Sequence, residues 1–265
     1  MNKILEVKKV SYSVNPGTLL GKNSVEKEIL RDISFSINNK EIVGITGESG
    51  SGKTTLSKLL AGILKPSYGE INYFFSETWK KIKTQPVQIL FQNNSEVLNP
   101  YREVGKIVEE TLIIRKKDQT NIKEEMDKIF NSIDFSESLR KRKGVELSSG
   151  EQQRAALARI LGAEPELLIL DEPFSAQDVE SQLNLLNLFK KINKEFDLTM
   201  ICVAHNLKIL RKLADRIFVM YNGEIVESGT TDQIFNSPEN DYTKFLLKCE
   251  NYDMKYDELK FNKSL

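Results

Sequence analysis

The apolar positions change their spacing along the chain, and each change predicts an element. Residues 4–14 and 29–37 are rich in β-branched side chains with partial alternation, and the polar, glycine-containing stretch 15–27 separates them. That pattern predicts a small antiparallel unit. The short apolar run 41–46 feeds a glycine-rich loop, after which Leu56, Leu59, Leu60 and Ile63 fall on one face of a helix over 54–64. Residues 71–75 and 87–91 read as further strands, whereas 103–161 is predominantly helical and highly charged, the pattern of a helical insert. Buried strands return at 167–170, 199–204 and 217–221, with 179–196 as the helix joining the first two. A hairpin over 217–227 turns at Asn222-Gly223. No internal repeat emerges, and the polar, lysine-rich stretch from Glu250 onward is expected to be loosely ordered.

The order of these elements points to an α/β fold, and 265 residues suffice for one large domain or two small ones. Lysine plus arginine and aspartate plus glutamate both number 38, so no net field draws the chain to nucleic acid. Cys202, inside an apolar strand, and Cys249, near the end, have neither paired nor metal-binding spacing, which suits a reducing cytoplasm. Charges at Lys3, Glu6, Lys8 and Lys9 leave no apolar stretch for a secretion signal. Nowhere do 18 apolar residues run together, so a membrane role is expected to come through a partner.

Chemistry concentrates where strands end. In GESGSGKT, residues 47–54, Gly47, Gly50 and Gly52 let the backbone aim its N–H groups at phosphates. Lys53 adds a cation for the terminal phosphates, and Thr54 is a candidate magnesium ligand. The candidate ATP contacts extend through Glu48, Ser49, Ser51 and Thr55, and the following helix points its positive end at the same anion. A glycine turn before a helix is the plain alternative; the preceding strand and the amphipathic helix argue for phosphate binding.

LLILDE, residues 167–172, reads as a buried strand delivering two carboxylates at its C-terminal end, where open α/β sheets bind ligands. Asp171 would hold magnesium through water, and Glu172 would orient or deprotonate the attacking water. Without the loop upstream, an acid pair here would more often be a turn or a cap. Gln92 after VQILF and His205 after TMICVA, the only histidine, sit at strand ends in the same way. Gln92 is a candidate for magnesium or water, and His205 for a γ-phosphate oxygen or the water on Glu172. In LSSGEQQRAALARIL, residues 147–161, Ser148 with Glu151 fits a capping box, and Arg154, Leu157, Ala158 and Leu161 share one face. A hydroxyl and free N–H groups at that helix start also make a second anion site.

Taken together, these motifs resemble the ATP-binding subunits of ABC transporters over nearly the whole chain. The order is that family's: glycine loop, glutamine loop, signature, acid pair, D-loop, switch histidine. The resemblance implies a RecA-like P-loop ATPase core with an N-terminal antiparallel β subdomain and an inserted helical subdomain. It places core and β subdomain at 1–92 and 162–235, the helical subdomain with its signature helix at 93–161, and a C-terminal tail at 236–265. It also implies two subunits stacked head to tail, with Ser148, Ser149, Gly150 and Glu151 contacting the ATP of the partner subunit. Tyr12 becomes the aromatic stacked on adenine, Gln92 a magnesium ligand and transmitter, Glu172 the catalytic carboxylate and His205 the switch. Asp178 in FSAQD becomes the D-loop acid at the dimer interface.

Within the family, FQNNSEVLNPYREVGKIVEETL and IVESGTTDQIFNSPENDYTKFLL resemble segments of peptide and nickel importers. Ser149 replaces a usual glycine, Glu151 a usual glutamine and Gln177 a usual leucine, changes expected to weaken the partner's site or alter the interface. The cysteine-containing extension typical of many peptide-importer ATPases is not expected after Leu247.

The leading expectation is therefore an ATP hydrolase using ATP and Mg2+, on the cytoplasmic face of the cell membrane. It would pair with a second, non-identical ATP-binding subunit under two transmembrane permease subunits, with an extracellular solute-binding protein delivering a peptide, nickel or a metal complex. The alternative is a soluble ABC ATPase acting as a clamp on nucleic acid or the ribosome; zero net charge, a single cassette and no coiled-coil or zinc insertion count against it. A small-molecule kinase would leave the signature helix unexplained.

Overall fold

The computed structural model describes residues 2–14, 26–77, 79, 84–91, 98–115, 121–175 and 177–250. The chain divides into two compact units, residues 1–74 with 201–265, and residues 75–200.

In the first unit, strands β1 (Lys3–Val14), β2 (Lys27–Asn38) and β4 (Tyr68–Tyr73) form an antiparallel sheet in the order β2-β1-β4. Leu5, Val7, Val10, Leu30, Ile33 and Ile37 are buried, the inward half of the alternation that the sequence carries. Each contributes roughly 1.5–3 kcal/mol of burial. A second, mixed sheet contains β3 (Ile42–Gly47), buried at every position, parallel to β8 (Arg216–Tyr221). Strand β9 (Glu224–Thr230) returns antiparallel to β8 through the turn at Asn222 and Gly223.

Helix α1 (Lys53–Leu60) is shorter than its apolar stripe suggests. Gly62, at φ 71°, closes it: Gly62 N–H bonds the Leu59 carbonyl at 3.0 Å and Ile63 N–H the Lys58 carbonyl at 2.9 Å. Ile63 is thus left 54% exposed beyond the helix instead of on its buried face. After residues 201–203 of β7 (Thr199–Val203) come α7 (Leu207–Leu213), α8 (Thr231–Asn236) and α9 (Asp241–Glu250).

The second unit holds the parallel pair β5 (Val87–Leu90) and β6 (Leu167–Asp171), together with α2 (Val104–Arg115), α3 (Ile122–Ser132), α4 (Glu137–Arg140), α5 (Ser149–Gly162) and α6 (Val179–Glu195). On α2, Val104, Ile107, Val108 and Leu112 are buried, and Thr111 meets Gly162 of α5, so the helical reading of 103–161 holds for its described parts. Arg115, nearly buried, is paired with Glu125 of α3. Asp178 caps α6 by accepting from Ser181 N–H at 2.9 Å, and those hydrogen bonds hold its carboxyl below the usual range. Among the described residues, no helix is long and apolar enough to cross a membrane.

Two tyrosines of the first unit set an expected pH limit. Tyr73 donates to the Leu60 carbonyl at 2.7 Å, and burial pushes its hydroxyl up to about 12. Burial does the same for Tyr242, also to about 12. Unfolded tyrosine loses its proton near ~10, so above that pH only the unfolded state gains from ionisation. Folding stability is therefore expected to fall as pH rises from about 10 toward 12. Thermal melts of the wild type and Tyr73→Phe across this range check it; the variant should decline less steeply, and identical slopes would contradict the assignment.

Candidate nucleotide site

The loop at 47–54 begins where β3 ends and runs directly into α1. Its turns need glycine for specific reasons. A β-carbon on Gly47 (φ 145°) would stand 2.0 Å from the Met220 carbonyl oxygen, and one on Gly52 (φ 99°) would stand 2.6 Å from Leu30 Cδ2. Lys53 is 8% exposed, and its Nζ donates to the carbonyls of Gly47 and Glu48, both at 2.9 Å. The cation is thereby held across the loop's entrance. Ser51 is buried with a hydroxyl that meets no hydrogen-bond partner among the described residues, an orphan that a phosphate oxygen would satisfy. Glu48, Ser49, Gly50 and Thr54 are exposed at the loop's surface, and Thr55 is half-buried behind them.

Tyr12 and His205 belong to the same unit. On β1, Tyr12 is half-buried and pairs in register with Leu30, the residue whose side chain lies against Gly52. His205 is exposed immediately after β7, and the preceding Ala204 N–H bonds the Ile45 carbonyl at 3.1 Å, two residues before Gly47. The described part of the first unit thus carries the loop and His205 just beyond the ends of neighbouring strands, while Tyr12 lies on the other sheet.

In the second unit β6 is buried throughout, and Asp171 at its end is 5% exposed. Glu172 follows with φ 53°, a left-handed conformation that is strained for a residue with a β-carbon. Its carboxylate accepts from Ser175 Oγ at 3.4 Å, and its carbonyl from Ser175 N–H at 3.3 Å. The tight bend turns the carboxylate out of the strand's line into a half-buried position.

The capping box at α5 is present as the spacing predicts. Ser148 Oγ accepts from Glu151 N–H at 3.4 Å, and Glu151 Oε2 accepts from Ser148 N–H at 2.8 Å and from its hydroxyl at 3.0 Å. The Ser148 backbone N–H is the main cause holding the Glu151 carboxyl below its ordinary range. Ser148, Ser149 and Gly150 are exposed, and a β-carbon on Gly150 would meet nothing within 4 Å. Among the described residues no packing requires glycine there, and the space beside it is open.

One polar residue is absent from the sequence-based candidates. Gln153 is buried on the inner face of α5, donates to the Pro173 carbonyl at 3.0 Å and accepts from Gln177 Nε2 at 2.7 Å. This pair ties α5 to the segment after Glu172, and it gives Gln177 a role that leucine cannot fill. The available signal was a glutamine set among Ala156, Leu157 and Ile160 on an otherwise apolar stripe. Gln92 lies outside the described residues.

With this geometry in hand, comparison with known proteins is decisive at the level of the family. The ABC transporter family matches residues 30–175. The chain is 36% identical over 248 residues to the dipeptide transport ATP-binding protein DppF of Haemophilus influenzae, covering 90% of this chain and 74% of that protein. It is 34% identical over 256 residues to the oligopeptide transport ATP-binding protein OppF of Streptococcus mutans, covering 93% and 81% respectively. Among solved structures, CbiO1 of Clostridium perfringens, part of an ABC transporter complex, superposes with TM-score 0.76 at 27% identity, covering 89% of this chain and 92% of that one. An ATP-binding cassette dimer in a post-hydrolysis state with ADP and Pi gives TM-score 0.71 at 25% identity, covering 86% and 99%. The chain belongs to the ABC transporter family, as an ATP-binding subunit. It is an ABC-type ATPase with the α/β cassette fold.

Proposed function

We propose that the chain is the ATP-hydrolysing subunit of an ABC importer and that its cargo is a peptide, with nickel or a metal complex as the other cargo class. The observation that carries the ATP part is the phosphate loop: Lys53 held across it and a buried Ser51 hydroxyl without a partner among the described residues. The peptide part rests on relatives that carry dipeptide and oligopeptide transport in their names and match about nine-tenths of this chain.

In this reading Tyr12 stacks on adenine, and the N–H groups of residues 47–55 with Lys53 hold the phosphates. Glu172 positions the attacking water, and His205 touches the terminal phosphate. Among the described residues no group of three or more histidine, cysteine, aspartate or glutamate side chains is placed to hold a metal. The exposed Thr54 hydroxyl and the Asp171 carboxylate nevertheless suit Mg2+, a hard cation that keeps several waters and leans on substrate phosphates. When bound, Mg2+ would neutralise charge developing on the transferred phosphoryl group. Gln92 is proposed as a further ligand and as transmitter to the membrane subunits.

The open surface at Ser149 and Gly150 leaves room for a second ATP-binding subunit; that subunit is proposed to be non-identical and stacked head to tail, its ATP contacted by these residues together with Ser148 and Glu151. Asp178, besides capping α6, lies in the proposed D-loop interface. Closure on ATP and opening after hydrolysis would drive two transmembrane permease subunits, supplied by an extracellular solute-binding protein, from the cytoplasmic face of the membrane. Residues 93–161 serve as the helical subdomain, 1–92 and 162–235 as core and β subdomain, and 236–265 as the tail.

Glu151 gives a direct test of the signature. Glutamine also completes a capping box, so Glu151→Gln should keep the helix start while removing a negative charge from the anion site. ATP-dependent pairing of subunits, measured by light scattering, is expected to tighten severalfold; unchanged pairing would contradict a signature-phosphate contact. Cargo is tested by reconstituting the chain with its permease subunits in proteoliposomes. ATP-driven uptake of labelled peptides supports the proposal, and uptake of nickel without peptide replaces its cargo.

A further inference from the structure

One helix of the first unit reaches both the phosphate loop and the segment behind His205. At its start, the Glu227 carboxylate accepts from the N–H groups of Glu239 at 2.8 Å and Asn240 at 3.2 Å, and Asn240 Oδ1 accepts from Tyr242 N–H at 2.8 Å. These contacts fix the first turn of α9 and the direction of Tyr242, which is 3% exposed. The Tyr242 ring lies 4.2 Å from that of Tyr221, in the strand whose Met220 pairs with Gly47. Its hydroxyl oxygen accepts from Glu48 N–H, the first N–H beyond β3, at 2.9 Å. At the other end of α9, Glu250 Oε1 accepts from Lys208 N–H at 2.8 Å, in the first turn of α7, three residues after His205.

Neither hydrogen bond is a by-product of apolar packing. Phenylalanine at 242 would fill the same space without the acceptor oxygen, and an alanine at 250 would leave Lys208 N–H to water. A phosphate loop whose leading N–H is tied down, and a histidine whose following helix is tied down, both lose less freedom when nucleotide binds.

We propose that α9 is a strap that positions the nucleotide site, with Tyr242 and Glu250 as positioning residues for the phosphate loop and for His205. The proposal rests on the ATP-site reading above and extends it to the C-terminal helix.

In the whole chain, Tyr242→Phe is expected to weaken ATP binding about fivefold, the effect of one lost hydrogen bond, and to speed hydrogen exchange at the Glu48 amide measured without nucleotide. In the assembled transporter, Glu250→Ala is expected to lower kcat about fivefold with KM for ATP held within about twofold, and Glu250→Gln, which retains an acceptor oxygen, to restore it. Equal ATP affinity and equal Glu48 exchange in Tyr242→Phe would overturn the strap. So would a loss in Glu250→Ala that Glu250→Gln fails to rescue. Should the wild type bind no ATP at all, the ATP-site reading fails instead, and Glu48 exchange alone still decides whether Tyr242 holds the loop.

Discussion

Glu172→Gln is expected to bind ATP as the wild type does while its turnover in the assembled complex falls by at least roughly 100-fold, the lower end of what a positioned acid–base group supplies. Glutamine matches glutamate in size and keeps an oxygen to accept from Ser175 Oγ, which lies 3.4 Å away, so the bend at φ 53° should survive. What disappears is the carboxylate's negative charge next to the water it is proposed to orient. The backbone conformation adds weight to this choice. A left-handed glutamate costs of order 1 kcal/mol or more, and such strain tends to persist where a side chain must be aimed. Steady-state hydrolysis alongside equilibrium nucleotide binding separates the two effects; near-normal turnover would contradict the role of Glu172.

Lys53→Ala should strike binding itself. Its Nζ is held at 2.9 Å from the carbonyls of both Gly47 and Glu48 and is 8% exposed, so the charge already sits where phosphates would be cradled. A charge-assisted contact of this kind is worth about 1.5–3 kcal/mol, which converts to ATP affinity weakened roughly tenfold to a hundredfold. Lys53→Arg should restore affinity only partly, because a planar fork cannot reproduce the contacts of a compact ammonium with both the Gly47 and Glu48 carbonyls. Titration with a fluorescent ATP analogue measures both variants, and unchanged affinity in Lys53→Ala would count against the phosphate loop.

What the sequence revealed and what it hid follow from the range of the forces involved. Strands β3, β6, β7 and β8 were legible because buried strands read as unbroken apolar runs, and the turn at Asn222-Gly223 because few residue pairs suit it. The start of α5 was legible to the residue, since a capping box is a local contract between Ser148 and Glu151. The end of α1 departs from the sequence pattern because Ile63 continues the apolar stripe while Gly62 lets the backbone leave the helix; backbone freedom outweighs the side-chain pattern.

Site residues divide along the same line. Lys53, Asp171, Glu172 and His205 are candidates that the sequence offers because each sits at a fixed offset from an apolar run. The Gln153–Gln177 bridge and the Tyr242 hydroxyl on Glu48 N–H span 24 and 194 positions in sequence, distances over which no periodicity carries information. Ser51 was named only as part of a motif; its burial without a partner is visible only in three dimensions.

The most direct test of the central claim is affinity isolation of the tagged chain from detergent-solubilised native membranes, with the accompanying proteins identified by mass spectrometry. An importer ATPase is expected to bring two multi-spanning membrane proteins and a second ATP-binding subunit. A chain recovered away from the membrane, with ribosomal proteins or nucleic acid in their place, would contradict it.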